Sequence, residues 1–306
     1  MVEVAGLHVP REPIRWRRSL GAAVYGLTLL AVAACSTTTT TADNATLAPI
    51  PARPSSATSP GPMVALPGTL AADFASLLPT LGGHAGMAIM AVGGDTVTSM
   101  GDWTAGPAWS TMKVPLTLAV LNANGNTPSY AMSAAVTESD NSAADSLWQS
   151  LGTADQAAQA VQKILKQGGD STTKVPSNRS RPDYSAFGQA VWSLADQTRF
   201  AAHLPCLPNA NTVTDLMGKV VPGQQWGLGH LDNVVFKGGW GPDPAGNYLV
   251  RQFGLVTTSS GQMAVAIAAQ ANSGGFDDGT TMLSKIAPLI TKHLNDLPTG
   301  SCADGH

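Results

Sequence analysis

The chain has 306 residues, of which 43% are hydrophobic and 12% charged, with a formal net charge of −3. This length allows one large domain or two modest ones. The nearly neutral charge balance gives no electrostatic basis for binding nucleic acid, so no nucleic-acid partner is expected.

Residues 1–35 are typical of an export signal. Four arginines between residues 11 and 18 precede an apolar run over 20–34, which is short for a membrane span. The run ends in Val32-Ala33-Ala34-Cys35, which resembles a bacterial lipobox. That resemblance implies cleavage before Cys35, a lipid on its sulfur, and a position on the extracytoplasmic face of the cell membrane. An ordinary signal peptide with an incidental cysteine is the alternative.

Residues 36–65 are rich in Thr, Ser, Pro and Ala, so we expect a disordered tether that cannot bury a core. The globular domain is predicted over 66–306. Two cysteines remain in this exported domain, Cys206 and Cys302, and an oxidising compartment favours a disulfide between them. Two unpaired buried thiols are the alternative.

The periodicity of apolar residues predicts an alternation of helices and strands along the mature chain. The predicted elements are a helix over 66–81, strands over 84–92 and 96–100, helices over 110–122, 143–151, 153–167, 185–204 and 211–220, strands over 234–237, 248–257 and 263–270, and a closing helix over 281–294. The segments 102–108 and 168–184 are predicted to be loops. This order favours an α+β fold with one five-stranded antiparallel sheet, into which a helical subdomain over roughly 110–220 is inserted.

The first motif that suggests chemistry is Ser110-Thr111-Met112-Lys113. Positions i and i+3 of a helix share a face, so the lysine amine is expected beside the serine hydroxyl. A desolvated lysine can lose its proton and act as a base toward that hydroxyl. The motif alone is weak, because a second copy runs from Ser171 to Lys174 within the predicted loop, where no helix aligns it.

Two further motifs follow in the chain, Ser139-Asp140-Asn141 and Lys237-Gly238-Gly239-Trp240. Taken singly, each has a structural interpretation. Asp and Asn are common helix N-caps. A lysine at the end of a strand is commonly a surface charge.

The order Ser-x-x-Lys, Ser-Asp-Asn, Lys-x-Gly resembles the penicillin-recognising serine hydrolases, and within them the class A β-lactamases, over roughly residues 66–296. Among these, the chain is most similar to exported actinobacterial lipoproteins. The resemblance implies a β-lactamase/transpeptidase-like, three-layer αβα fold.

The resemblance also implies roles for the matching residues. Ser110 would be the acylated nucleophile and Lys113 its base, while Ser139 would pass a proton to the leaving group and Lys237 would supply positive charge. The substrate-binding residues would be Asn141, Gly239, Trp240 and Arg251. Backbone N–H groups of Ser110 and Trp240 would form the oxyanion hole. A structural ion-pair role for Arg251 is the alternative.

The sequence departs from the family pattern in three places. The chain has three glutamates, Glu3, Glu12 and Glu138, and none lies in the 168–184 loop, where the family carries its deacylating glutamate. Asp170 and Asp183 lie there but are one methylene shorter, and a misplacement of about 1 Å is costly for water activation. Gly238 replaces the hydroxyl residue of the family's Lys-Thr-Gly. The interval from Ser110 to Ser139 is 29 residues (139 − 110), about half of the usual one, which indicates a trimmed helical subdomain.

Three functions are therefore considered. The first is an exported serine hydrolase that acts on a β-lactam, a peptide or an ester and deacylates poorly. The second is an inactive cell-envelope lipoprotein that binds a peptidoglycan-type ligand in the same cleft. The third is a β-lactam trap that acylates without turnover. No cofactor is expected, no metal site is expected from the spacing of the histidines, and the chain is expected to be a monomer.

Overall fold

The structure is a computed structural model that describes residues 69–303. The predicted signal peptide over 1–35, the predicted lipidation site Cys35 and the predicted tether over 36–65 lie outside the described residues. Within residues 69–303, no helix is both long enough and apolar enough to cross a membrane.

The centre of the fold is a five-stranded antiparallel sheet with the strand order β2-β1-β7-β6-β5. This confirms the predicted α+β fold class, in which strands from both ends of the domain complete one sheet. The strands of this sheet are β1 (Gly83–Ala91), β2 (Thr98–Gly101), β5 (Val234–Pro242), β6 (Tyr248–Thr258) and β7 (Gly261–Ala271).

The described residues contain eight α-helices, some packed on the sheet and others on one another. They are α1 (Leu70–Leu77), α2 (Lys113–Ala123), α3 (Tyr130–Ser133), α4 (Asn141–Ser150), α5 (Ala154–Gln167), α6 (Leu194–His203), α7 (Ala210–Met217) and α8 (Phe276–Lys292). Helices α1 and α8 pack on one face of the sheet, and α6 packs on the other.

The alternation of side chains along β1 explains the three layers. Met87 and Ile89 belong to the core shared with α1 and α8, whereas Ala88 and Met90 belong to the core shared with α2 and α6. A strand that is buried on both faces has no polar alternation, which is why this segment is a continuous apolar run.

Two expectations about secondary structure are wrong. The segment 102–108 contains a short strand, β3 (Ala105–Pro107), which pairs with β4 (Val191–Ser193). The helix predicted over 185–204 therefore starts only at Leu194. Its start is fixed by Ser193, whose hydroxyl accepts a hydrogen bond from the Asp196 N–H at 2.9 Å and caps the helix. Helix α6 packs on β1 and β7 of the sheet. The segment 110–220, which was predicted to form one helical subdomain, therefore includes a helix that packs on the sheet.

The predicted disulfide between Cys206 and Cys302 is present, with 5.4 Å between the two Cα atoms. It ties the C-terminal tail to the end of the 3₁₀ turn that follows α6. Along the same tail, Gly300 exchanges backbone hydrogen bonds with Gln262 of β7. The tail is thus anchored at two points.

Replacing both Cys206 and Cys302 with alanine is expected to lower the free energy of unfolding by about 2–4 kcal/mol, because the bridge closes a long loop in the unfolded chain. Urea denaturation of the variant and of the parent protein measures the difference. The parent protein in reducing agent provides the control, since it should approach the variant's midpoint. Equal midpoints for the variant and the oxidised parent would contradict a stabilising bridge.

Candidate active site

A polar cleft of about 260 Å³ lies where the end of β5 faces α4 and the 168–184 loop. Four of the predicted site residues line it, namely Ser110, Ser139, Asn141 and Trp240. The loop contributes Asp183, and Ser185 follows directly after it. The three motifs, which are far apart in sequence, therefore meet in one cavity.

Ser110 is presented by a strained turn. A 3₁₀ turn over Trp109–Met112 precedes α2, and Trp109 has a φ of +50°, a left-handed conformation that is rare for an aromatic residue. The Trp109 side chain is 6% exposed and packs on β5, where a Cβ built at Gly241 would lie 2.6 Å from the indole. Gly241 is therefore needed for this packing, which holds the turn. The side chains at positions i and i+3 of a 3₁₀ turn eclipse each other, so the side chains of Ser110 and Lys113 lie on the same side of the turn.

Lys113 is buried, and its amine is held by the Ser-Asp-Asn segment. Lys113 Nζ donates to the Ser139 carbonyl at 2.5 Å, to Asn141 Oδ1 at 2.8 Å and, at 3.4 Å, to Ser139 Oγ. Burial lowers the pKa of Lys113 to about 7, although Asp140 and Asp145 act in the opposite direction. Near neutral pH a substantial fraction of Lys113 is therefore uncharged and able to accept a proton.

Lys237 lies on β5 and reaches the same serine from the other side. It is 0% exposed, and its Nζ donates to Ser139 Oγ at 3.0 Å and to the Gly238 carbonyl at 2.9 Å. Burial, followed by repulsion from Lys113, holds the pKa of Lys237 well below its usual range. No carboxylate forms a salt bridge with either lysine within residues 69–303. Two unpaired buried amines that share one hydroxyl titrate as a coupled pair.

The Ser139-Asp140-Asn141 segment is both a helix cap and a wall of the cleft. Asp140 is the N-cap of α4, and its Oδ1 accepts a hydrogen bond from the Ala143 N–H at 2.6 Å. Ser139 adopts a left-handed conformation with a φ of +60°. This conformation turns the chain so that Ser139 contacts both lysine amines and Asn141 contacts that of Lys113, while Asp140 caps the helix.

The Lys113 amine, expected beside the Ser110 hydroxyl, makes no hydrogen bond to it. Within the described part of the chain, the Ser110 hydroxyl has no hydrogen-bond partner, because the Lys113 amine donates to Ser139 and Asn141 instead. Both groups nevertheless belong to one short turn, and Ser110 shares the cleft with Ser139. Catalytic hydrogen bonds are often long in empty sites and tighten only around substrate.

Gly239 allows β5 to approach the backbone at Ser110. A Cβ built at Gly239 would lie 2.9 Å from the backbone nitrogens of Ser110 and Thr111. Trp240 follows in the strand, and its indole packs in an aromatic cluster with Trp226 and Phe276. The close approach that an oxyanion hole between Ser110 and Trp240 requires is therefore present, while the role itself stays a prediction.

Gly238 has a packing explanation. A Cβ at this position would lie 3.3 Å from the ring of Trp226, a tighter contact than most side chains make. The indole of Trp226 thus occupies the space beside the strand into which a side chain at this position would point.

The carboxylate-binding role expected for Arg251 is wrong. Its side chain is 0% exposed and does not reach the cleft. The guanidinium donates to the backbone carbonyls of residues 106, 107 and 192 at 3.0–3.1 Å and to Gln197 Oε1 at 2.7 Å. Arg251 therefore fastens the short β3–β4 pair to the main sheet, and within residues 69–303 it forms no ion pair, so the alternative expected from the sequence is not observed either.

The loop over 168–184 contains two aspartates with different environments. Asp170 is buried and accepts hydrogen bonds from the Trp192 indole at 2.9 Å and from the N–H groups of Thr172 and Thr173. It anchors the loop and does not line the cleft. Asp183 does line the cleft, and no described residue pairs with it. The second Ser-x-x-Lys copy lies on the surface, with Ser171 and Lys174 both exposed.

The sequence reasoning missed several residues of the cleft, namely Trp109, Asp145, Arg179, Tyr184 and Ser185. Arg179 and Asp145 form an ion pair at 3.1 Å across it. Only Trp109 carried a sequence signal, because it directly precedes the predicted nucleophile. No group of three or more His, Cys, Asp or Glu side chains within residues 69–303 is arranged to hold a metal ion.

The fold of the described chain is similar to that of class A β-lactamases. No protein-family model and no curated protein sequence matches it. Among solved structures, the TLA-3 extended-spectrum β-lactamase matches with a TM-score of 0.59 and 15% identity, covering 74% of this chain and 98% of that chain. A class A β-lactamase reconstructed as the last common ancestor of Gram-negative bacteria matches with a TM-score of 0.56 and 16% identity, covering 74% and 99%. At these identities the likeness establishes the fold alone.

Proposed function

We propose that the protein is an exported serine hydrolase that forms an acyl-enzyme at Ser110 and releases it slowly. The observation that carries this proposal is the convergence of Lys113 and Lys237 on Ser139, in the cleft that also contains Ser110. Two buried amines without a carboxylate partner are costly for stability, and such perturbed groups cluster at functional sites. The similarity of the fold to class A β-lactamases supports the same reaction class.

The proposed acylation step requires the Lys113 amine to move from its present acceptors to the Ser110 hydroxyl when substrate binds. Ser110 Oγ attacks the carbonyl carbon of an amide or ester, forming a C–O bond, and its proton passes to the neutral amine of Lys113. The negative charge on the carbonyl oxygen is held by the N–H groups of Ser110 and Trp240. Ser139 then gives its proton to the leaving nitrogen or oxygen and regains one from Lys113, the C–N or C–O bond breaks, and the acyl group stays on Ser110.

Release of the acyl group needs an activated water, and the cleft offers a poor base for it. No glutamate lines the cleft, and the carboxylate that does so from the loop is Asp183. Its side chain is exposed and one methylene shorter than a glutamate, so it positions a water less closely. We therefore expect acylation by a β-lactam, a peptidoglycan-type peptide or an ester, followed by little turnover.

A second candidate function, a binding protein without catalysis, is favoured by one observation. The Ser110 hydroxyl has no hydrogen-bond partner among residues 69–303, and the Lys113 amine is engaged by Ser139 and Asn141. In this case the cleft would hold a peptide or glycopeptide beside Ser110 without attack by that residue.

A fluorescent penicillin, followed over time by intact mass and by nitrocefin hydrolysis, distinguishes these functions. We expect an initial burst that forms close to one adduct per protein chain, followed by little hydrolysis of nitrocefin. Steady and fast nitrocefin hydrolysis would contradict slow release. No adduct with penicillin, fluorophosphonate or ester probes would support the binding protein.

The rate of acylation is expected to rise with pH. The neutral form of Lys113 is the base, and its pKa is about 7, so the rate should fall about tenfold per pH unit below that value and level off above it. The initial rate of adduct formation between pH 5 and 9, with an uncharged ester, measures the profile. A flat profile from pH 5 to 8 would exclude Lys113 as the titrating base.

We also propose that the chain is a monomer anchored at the outer face of the cell membrane through Cys35, since the lipobox-like sequence and the long polar tether suit such an anchor. Detergent-phase partitioning of the parent protein and of Cys35→Ala tests this. Equal partitioning of the two proteins would contradict the anchor.

A further inference from the structure

A second cavity of about 240 Å³ adjoins the candidate active site at the end of β5. Its walls are mainly apolar and include Trp103, Pro107, Pro244 and Leu249. An apolar cavity of about 150 Å³ is enough to hold benzene in another protein, so this one has room for a phenyl ring or a chain of about six carbons. Nothing in the acylation chemistry described above uses it.

The two cavities share part of their walls. Trp109, Gly241 and Pro242 line both. The indole nitrogen of Trp109 is buried and donates no hydrogen bond to any residue within 69–303. Because this N–H has almost no accessible surface, the shared wall offers a ligand apolar contact with Trp109 and no hydrogen bond from its indole.

Arg181 lies at the junction on the side of the loop. Its guanidinium donates to the Pro242 carbonyl, lies 4.3 Å from the ring centroid of Tyr184 and 6.0 Å from that of Trp109. Arg181 lines the second cavity, whereas Tyr184 lines the active-site cleft. The stacked pair therefore forms part of the boundary between the two cavities.

The position of Ser139 indicates which part of a substrate would reach the second cavity. Ser139 donates the proton to the leaving group, so the leaving group lies on the side of α4. The shared wall of Trp109, Gly241 and Pro242 is formed by the turn before α2 and the end of β5. The part that stays on Ser110 after acylation therefore extends toward the second cavity.

We propose that the second cavity binds the apolar end of the substrate's acyl group, a chain or ring of about six carbons whose carbonyl carbon is attacked by Ser110. This assignment rests on the proposed acylation of Ser110. It predicts a preference for longer acyl groups that is independent of the leaving group.

The test uses the mature chain and p-nitrophenyl esters from acetate to hexanoate, which all release the same phenolate as Ser110 is acylated. Each buried methylene favours binding by about fourfold, so we expect the second-order acylation rate to rise more than tenfold along the series. Ala105→Trp and Pro244→Trp fill the cavity from two separate rims, since both residues are exposed and line it. Ala245→Trp is the matched control, because Ala245 is exposed in the same turn but does not line the cavity.

The two filling variants are expected to keep the acetate rate within about twofold and to lose most of the gain with hexanoate, while Ala245→Trp keeps the gain. Two filling variants at separate positions are used so that one still gives a result if the other fails to fold. A flat series in the parent protein, with acylation by acetate intact, would overturn the subsite and leave the proposed function standing. A rise that survives both filling variants would also overturn it. No acylation with any ester would overturn both proposals.

Discussion

Lys113→Met is expected to slow acylation of Ser110 by about 10²–10⁴-fold, the range that a general base contributes. The variant keeps a buried side chain of similar length and removes the only group in the turn that can take the serine proton. Lys113 is 1% exposed, and its amine makes its hydrogen bonds to Ser139 and Asn141, so solvent cannot replace it easily. The rate of adduct formation with a saturating penicillin or ester measures the effect.

The chain supplies a matched control in its second Ser-x-x-Lys copy. Lys174→Met changes the same residue type at the same motif position, but Lys174 is exposed on the loop. Its acylation rate should stay within about twofold of the parent protein, as expected for a surface position. A thermal unfolding midpoint for each variant separates lost chemistry from lost structure. Folded Lys113→Met with an unchanged rate would refute the assigned base.

Ser185→Glu is expected to raise the rate of acyl release by about 10²-fold or more, since it places a longer carboxylate where a general base for water is lacking. Ser185 lines the cleft beside Ser110 and directly follows the 168–184 loop. Its hydroxyl makes no hydrogen bond to residues 69–303 that the substitution would break, while its carbonyl accepts from Gln189. The decay of the penicillin adduct and steady-state nitrocefin turnover both report the gain.

Ser177→Glu is the control for added charge, because Ser177 belongs to the same loop but does not line the cleft. It should leave the adduct lifetime unchanged. An adduct that persists equally in parent, Ser177→Glu and Ser185→Glu would mean that a missing base in this wall does not limit release.

The sequence predicted the arrangement of the sheet and the meeting of three motifs because both depend on local patterns. Long apolar runs are reliable signals of buried strands, and β6 and β7 lie within a few residues of their predicted bounds. Ser110, Lys113, Ser139, Asn141 and Lys237 each stand in a short motif with a required order, which is why the structure finds them together.

The features that were missed depend on contacts between distant segments. The β3–β4 pair joins residues 105–107 to 191–193, and neither strand is long enough to give a periodic signal. Nothing in the sequence around Arg251 distinguishes a guanidinium that binds substrate from one that binds backbone carbonyls. In the structure it binds those of Gly106 and Trp192. The orientation of the Lys113 amine is set by its acceptors in Ser139 and Asn141, which the spacing within one motif does not reveal.

The central claim, that Ser110 is the residue acylated in this cleft, is tested most directly by mapping a penicillin adduct at peptide level. Parent protein, Ser110→Ala and Ser171→Ala are compared, the last because Ser171 opens the exposed second copy of the motif. We predict one adduct, on the peptide that contains Ser110, in the parent protein and in Ser171→Ala, and none in Ser110→Ala. An adduct that persists in Ser110→Ala, or the absence of any adduct in the folded parent protein, would contradict the claim.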